Sequence, residues 1–357
     1  SNRDITEGRF DNATLNETRF NQAIGTDVSF KKAIGNGVSF KGAQISESDF
    51  SSVQFESADF QNSDFRNNNF SRAVLLQSNF QNTVLLNVNF AKSNLSNGIF
   101  INSKFAEGAN FAGANLEGTR FKDNNLEEAN FSKTNLSNAE FLAVKFQQAN
   151  SRGATLNNTN MTDCNLMGTK MNKLRFENVN LTATNLVEAN LKGSTFTGTS
   201  FDRAELGYTK IDGSKFDRCS FIGSSFYKTD LSGLNLENSD MSNANFETAY
   251  LKNTNLSNTK LDRTKFSDNK YSNVIFTNAT LEFANFSEAK IFNCDFSGCD
   301  LSNARFDGAF ITACDFSGAN LATASLAAAT LKKNIYDTST RFPKNYSPHP
   351  REMRAAK

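Results

Sequence analysis

Tryptophan is absent from this 357-residue chain, histidine occurs once and proline three times. The one histidine, His349, lies in a proline-containing stretch near the C-terminus, so catalytic triads and metal sites built on histidine are excluded by arithmetic. Cysteines are few, Cys164, Cys219, Cys294, Cys299 and Cys314, odd in number and without CxxC spacing. That argues against a disulfide framework or a zinc site, and no metal or cofactor is expected. No run approaches the roughly eighteen consecutive apolar residues of a membrane span, and the N-terminal segment lacks a charged, apolar, small-residue signal pattern, so no membrane contact is expected. The expected compartment is the cytoplasm, or the thylakoid lumen or periplasm if a targeting segment has been removed. Bases (38) and acids (37) nearly cancel, which leaves no long-range field to steer nucleic acid. Phosphate-loop spacing is missing too; the nearest glycine cluster, Gly35-Asn36-Gly37, lacks the lysine-hydroxyl pair.

Phenylalanine, by contrast, is abundant at 35 residues, and its spacing is regular. A large apolar residue returns at Phe10, Phe20, Phe30 and on to Phe100, with Leu15, Ile45, Phe55, Phe65, Leu75, Leu85 and Leu95 between. The period is five, and two residues before each large residue stands a small one, such as Ala13, Ala43, Ser63 or Ala73. Five steps scatter around an α-helix and alternate faces on a straight strand, so neither element accommodates the pattern. The chain must turn once per repeat, giving a short extended side and then a corner, and stacked corners make a solenoid. From Phe111 to Phe141, Phe and Leu alternate strictly, which keeps Phe over Phe only if the coil has an even number of sides. Four sides give a coil of twenty residues, and the fold is all-β with about 17 coils and a length of about 80 Å at about 4.8 Å per strand.

Ala114-Asn115-Leu116-Glu117-Gly118, Thr134-Asn135-Leu136-Ser137-Asn138, Ala284-Asn285-Phe286-Ser287-Glu288 and Cys294-Asp295-Phe296-Ser297-Gly298 resemble the pentapeptide-repeat family in its pattern of small residue, Asn or Asp, Leu or Phe, and two polar residues. The resemblance implies a right-handed quadrilateral β-helix, over residues 1–336. A tail over 337–357 follows, and Tyr336, Asp337, Thr340, Phe342 and Pro343 resemble the ending of cyanobacterial members. An uncovered coil end exposes core and strand edge, so the tail, with Phe342 and Tyr346, is expected to fold back as a cap.

Several departures from the pattern carry expectations of their own. One extra residue within 106–110 shifts the register of every later repeat, and a bulge at Gly108 is expected. Gly25, Gly35 and Ser151 replace large central residues, where cavities, kinks or waters are expected. Leu174 and Leu234 put bulk at a small position. The five cysteines fall at small inward positions and are expected as buried thiols, although Cys294 and Cys314 stand one coil apart on the same side.

No enzyme is expected, because carboxylates such as Asp230, Asp240 and Glu247 fall at outward positions. Some members of the family bind DNA gyrase and are thought to imitate duplex DNA with an acidic rod. Here the residues after Leu331 hold seven of the bases against Asp337 and Glu352, which leaves the coils only slightly acidic, far below one charge per about 1.7 Å of DNA. A protein-binding or structural scaffold is the expectation, with the DNA-mimic modulator as its alternative and no binding of nucleic acid itself. Met167, Val187, Tyr208 and Tyr227 follow the stacked centres Leu166, Leu186, Leu206 and Phe226, and form the candidate contact column for another protein or a second copy of the chain.

Overall fold

The computed structural model describes residues 3–344, 346–349 and 353–355. Its contacts divide into two compact units, Ser1–Asn185 and Leu186–Lys357. Both are built from one local motif. The Ala13 amide donates to the Phe10 carbonyl at 3.1 Å, closing a tight turn whose third residue, Asn12, has φ +58°. The same position repeats along the chain with Asn, Gly, Lys, Glu or Asp in the left-handed region, which is the φ pattern of a type II turn. Asn and Gly recur there because they tolerate that conformation best.

Each corner passes the chain to another extended side, and each side hydrogen-bonds to the same side one coil away. The Phe30 amide donates to Asp49 C=O at 2.8 Å and the Ser29 amide to Gly8 C=O at 2.9 Å, a parallel ladder. Bridges Asp4↔Ile24, Arg9↔Ser29, Thr14↔Ile34 and Arg19↔Ser39 mark four sides in the first coil. In the second unit the register is the same, with Phe196 opposite Phe216 and Ile291 opposite Ile311. The strands are two or three residues long, every pairing is parallel, and there is no helix among the described residues. Among the described residues the architecture is all-β, a parallel β-solenoid in each unit, with about 16 turns in all against the 17 expected.

Large side chains point inward and stack in register. Phe60 and Phe80 lie 4.5 Å apart with rings 2° from parallel, while Phe80 meets Phe90 of a different side edge-on at 84°. Both geometries are favoured by the aromatic quadrupole and contribute about 0.5–1.5 kcal/mol per pair beyond burial. The extra residue appears as a single longer coil, in which Asn89 bridges Asn110 and Phe100 pairs with Phe121. Gly108, at φ +73°, turns the chain there, and the rings of Phe100 and Phe121 remain stacked at 4.6 Å.

The glycine centres are not cavities. A Cβ on Gly25 would lie 2.8 Å from Val28 Cγ2, and one on Gly35 would lie 2.6 Å from Val38 Cγ2, so valines at the normally small positions fill the space. Ile24 and Ile34 point outward and are exposed. Ser151 is buried, as are Leu174 and Leu234.

Some corners lack the tight-turn hydrogen bond and use side chains instead. The Val28 amide donates to Ser48 Oγ at 2.9 Å and the Ser48 amide to Asn68 Oδ1 at 2.8 Å. Asn68 Nδ2 donates in turn to the carbonyls of Ile45 at 2.7 Å and Phe65 at 3.0 Å, so a fully buried amide has its partners.

At the C-terminal end the chain folds over its last coil. The strand Asn334–Tyr336 pairs in parallel with Met353–Ala355, and Met353 is buried. Phe342 stands edge-on to Tyr336 at 5.4 Å and contacts Tyr346 at 5.5 Å. Asp337 Oδ1 accepts from the amides of Gly318 and Ser339 at 2.9 Å and Thr340 at 3.1 Å, which holds its carboxyl down at about 2. Its side-chain hydrogen bond from Ser339 contributes most to that shift.

Candidate functional site

Outward positions carry the candidate site, and the corner ladder positions it. The Glu188 amide donates to Gly207 C=O at 2.9 Å, the Tyr208 amide to Tyr227 C=O at 3.0 Å, and the Lys228 amide to Thr248 Oγ1 at 3.0 Å. Val187, Gly207 and Tyr227 therefore follow one another up a corner of the second unit. Gly207 is buried between its neighbours; a Cβ on it would lie 3.4 Å from the Tyr227 carbonyl oxygen and 3.6 Å from Val187 Cγ2. Tyr208 stands beside this column, in the left-handed region at φ +56°.

The rings of Tyr208 and Tyr227 meet edge-on at 5.5 Å and are 46% and 48% exposed. Lys228 places its ammonium 5.5 Å from the first ring centroid and 5.2 Å from the second. Hydrogen bonding to Tyr208, then to Tyr227, raises the lysine's pKa. Of the four residues singled out in the sequence, Val187, Tyr208 and Tyr227 belong to this patch, with Val187 half-buried. Met167 is exposed and belongs to the first unit. Lys228 and Gly207 escaped the sequence reading. Lys228 adjoins Tyr227 in the chain, but its reach over two rings from different coils has no signature in the spacing.

The carboxylates singled out in the sequence and the cysteines are tied into the scaffold. Asp230 Oδ1 accepts from the Ser232 amide at 2.9 Å, Asp240 lies 3.4 Å from Lys260 Nζ, and Glu247 accepts from Ser267 Oγ at 2.9 Å. All five cysteines are free and buried. Burial pushes the Cys164 thiol up to about 12 and that of Cys219 to about 11, so neither is a nucleophile at neutral pH. The Cys294 amide donates to Cys314 Sγ at 3.4 Å, and the Cys294 thiol together with burial raises Cys314. Among the described residues no group of three His, Cys, Asp or Glu could hold a metal ion, and no helix is long and apolar enough to cross a membrane.

Comparison with known proteins matches these repeats directly. The family model described as pentapeptide repeat region matches residues 3–80, 53–131, 73–150 and 169–246, and that described as pentapeptide repeats (8 copies) matches 143–172, 229–268, 271–298 and 294–332. No curated relative matches the chain in sequence. Among solved structures, HetL, a pentapeptide-repeat protein involved in heterocyst differentiation regulation from the cyanobacterium Nostoc sp. strain PCC 7120, is 24% identical, with 72% of this chain and 92% of that chain covered and a TM-score of 0.28. QnrB1, a plasmid-mediated fluoroquinolone resistance protein, is 22% identical in its full-length form, over 64% of this chain and 93% of that chain, with a TM-score of 0.31. Rfr23 from the cyanobacterium Cyanothece 51142 is 26% identical over 32% of this chain and 63% of that chain, with a TM-score of 0.17. With its repeats matched from residue 3 to residue 332 and its coils stacked every twenty residues, the chain belongs to the pentapeptide-repeat family.

Proposed function

We propose that the chain is a non-catalytic scaffold that binds another protein through Tyr208, Tyr227 and the Val187 side chain below them. The observation that carries this reading is the Tyr208–Lys228–Tyr227 cluster. Two exposed rings held by one ammonium form a rigid amphipathic surface, and Tyr is among the residue types that dominate binding energy at protein interfaces. The backbone does not ask for a tyrosine at position 208; a left-handed residue is better served by Asn or Gly, which fill most other such corners. The scaffold fixes the site at no ordering cost, since its corners hydrogen-bond to one another and few side chains need to be immobilised on binding.

The test is capture with immobilised wild-type protein and with the double variant Tyr208→Ser/Tyr227→Ser, using extract from the native organism. Proteins retained by the wild type should be lost from the variant while circular dichroism and melting stay unchanged. Equal retention by a folded variant would overturn the assignment of this patch.

A further inference from the structure

Four of the phenylalanines lie off the central positions of the repeats, Phe283, Phe292, Phe310 and Phe342, and two of them meet on one sheet face of the second unit. That face is built from the parallel strands Lys270–Ser272, Lys290–Phe292, Phe310–Thr312 and Thr330–Lys332. Their middle residues, Tyr271, Ile291, Ile311 and Leu331, are buried in the core, so the residues on either side of each turn outward. This brings the rings of Phe292 and Phe310, from adjacent coils, to 5.8 Å. Both are half-buried.

Three lysines surround the pair. Lys270 places its ammonium 5.5 Å from the Phe292 centroid and Lys332 places its own 5.5 Å from that of Phe310, so two cations bracket the two rings from the coils on either side. Lys290 stands directly opposite Lys270 in the ladder and, on its other side, opposite Phe310. Like charges opposite one another in a sheet are destabilising, and no acid on the four strands offsets them. Among the described residues none of the three lysines is in an ion pair. One flanking corner holds Asn273, Asn293, Ala313 and Lys333, with no acid. The other holds Asp268, Glu288 and Asp307; Asp307 is taken by Arg305 at 3.0 Å, and Glu288 leans along its own corner, where a Cβ on Gly308 would collide with its Oε1.

We infer that this face docks an extended, acidic segment of a partner protein, at a contact separate from the tyrosine cluster. The rings hold two ammoniums in place, carboxylates of the segment relieve the repulsion between Lys270 and Lys290, and an apolar side chain between those carboxylates covers the ring edges. The spacing matches. The backbones of Lys270 and Lys332 lie three strand separations apart, about 14 Å, and four residues of extended chain rise about 14 Å. Alternate side chains share one face of such a chain, so the segment reads acid, apolar, acid at every second position. Single-stranded nucleic acid fits worse, because a base can stack on either ring only by displacing an ammonium or the other ring. A membrane surface fits worse too, since half-buried rings leave little to insert.

The experiment is fluorescence anisotropy of the full chain with a dye-labelled peptide that repeats Glu-Thr-Leu-Thr over about a dozen residues, at low salt and at about 1 M salt, where screening reaches about 3 Å. The peptide should bind at low salt and be released at high salt. Lys270→Gln/Lys332→Gln should weaken binding about tenfold, and Phe292→Leu/Phe310→Leu about threefold by freeing the ammoniums. Lys270→Arg/Lys332→Arg keeps a cation on each ring and should bind as the wild type does. Tyr208→Ser/Tyr227→Ser should also bind unchanged, which separates this surface from the tyrosine cluster. No binding at low salt, equal binding by a folded Lys270→Gln/Lys332→Gln variant, or equal binding of a peptide with Gln in place of Glu would overturn the proposal. So would tighter binding of a single-stranded DNA oligonucleotide or of phosphatidylserine vesicles through the same lysines.

Discussion

Val28 occupies the space that Gly25 leaves empty: a Cβ added to the glycine would come within 2.8 Å of Val28 Cγ2. A coil whose large and small positions have exchanged roles should show it energetically. Gly25→Leu alone should overpack and destabilise by about 1–3 kcal/mol. Val28→Ala alone should lose about 2 kcal/mol through the cavity it opens. Together they restore the ordinary repeat, so the double variant should melt above either single one; strictly additive losses would show that the two sites are not coupled.

The buried amide of Asn68 predicts a sharper loss. Asn68→Leu keeps the volume but leaves the Ser48 amide and the carbonyls of Ile45 and Phe65 without their side-chain partner. Each stranded group costs about 1–3 kcal/mol, so denaturant unfolding should shift well beyond what any exposed Asn→Leu change produces. A shift no larger than that of Asn36→Leu, at an exposed position on an extended segment, would contradict the ladder.

How much of this was legible follows from what spacing can encode. The five-residue period fixes which side chains point inward, so the stacking of Phe60 on Phe80 and the longer coil around Gly108 were open to sequence reading. Compensation was not, because Val28 and Gly25 look like two separate irregularities until their atoms are placed. Nor was the Asn68 ladder, since an inward Asn reads as a defect unless the missing turn hydrogen bond is seen. In the candidate site Tyr208 and Tyr227 occupy different positions of their repeats, and the ring-to-ring contact and the lysine over both depend on rotamers that composition does not specify.

Buried thiols make stability depend on alkaline pH. Burial raises Cys164 from 9.0 to about 12 and Cys219 from 9.0 to about 11. The unfolded chain therefore releases these protons first, so their contribution is complete below pH 9 and is lost as pH rises to about 11–12. Denaturant midpoints should fall across that window and fall less for Cys164→Ala/Cys219→Ala. At pH 8 a thiol reagent should label neither residue without denaturant.

Asp337 works in the opposite direction. Its carboxyl is held at about 2 against an ordinary 3.8, so its hold on the tail is present above pH 4 and fades as pH falls towards 2. Asp337→Ala should release the tail at neutral pH while the coils stay folded. Hydrogen exchange should then speed up at the amides of Gly318, Ser339 and Thr340; unchanged protection there would show that the carboxylate does not hold the cap.

The central claim is that a rigid coil presents Tyr208 and Tyr227 as the contact site for a partner protein. Hydroxyl-radical footprinting of the chain alone and in complex with a captured partner tests it most directly, because both rings are about half exposed in the free chain. The account predicts that modification of Tyr208 and Tyr227 falls on complex formation while Tyr250, also exposed, is modified as before. A complex in which both tyrosines react at the free-chain rate, with protection appearing on another corner, would contradict it.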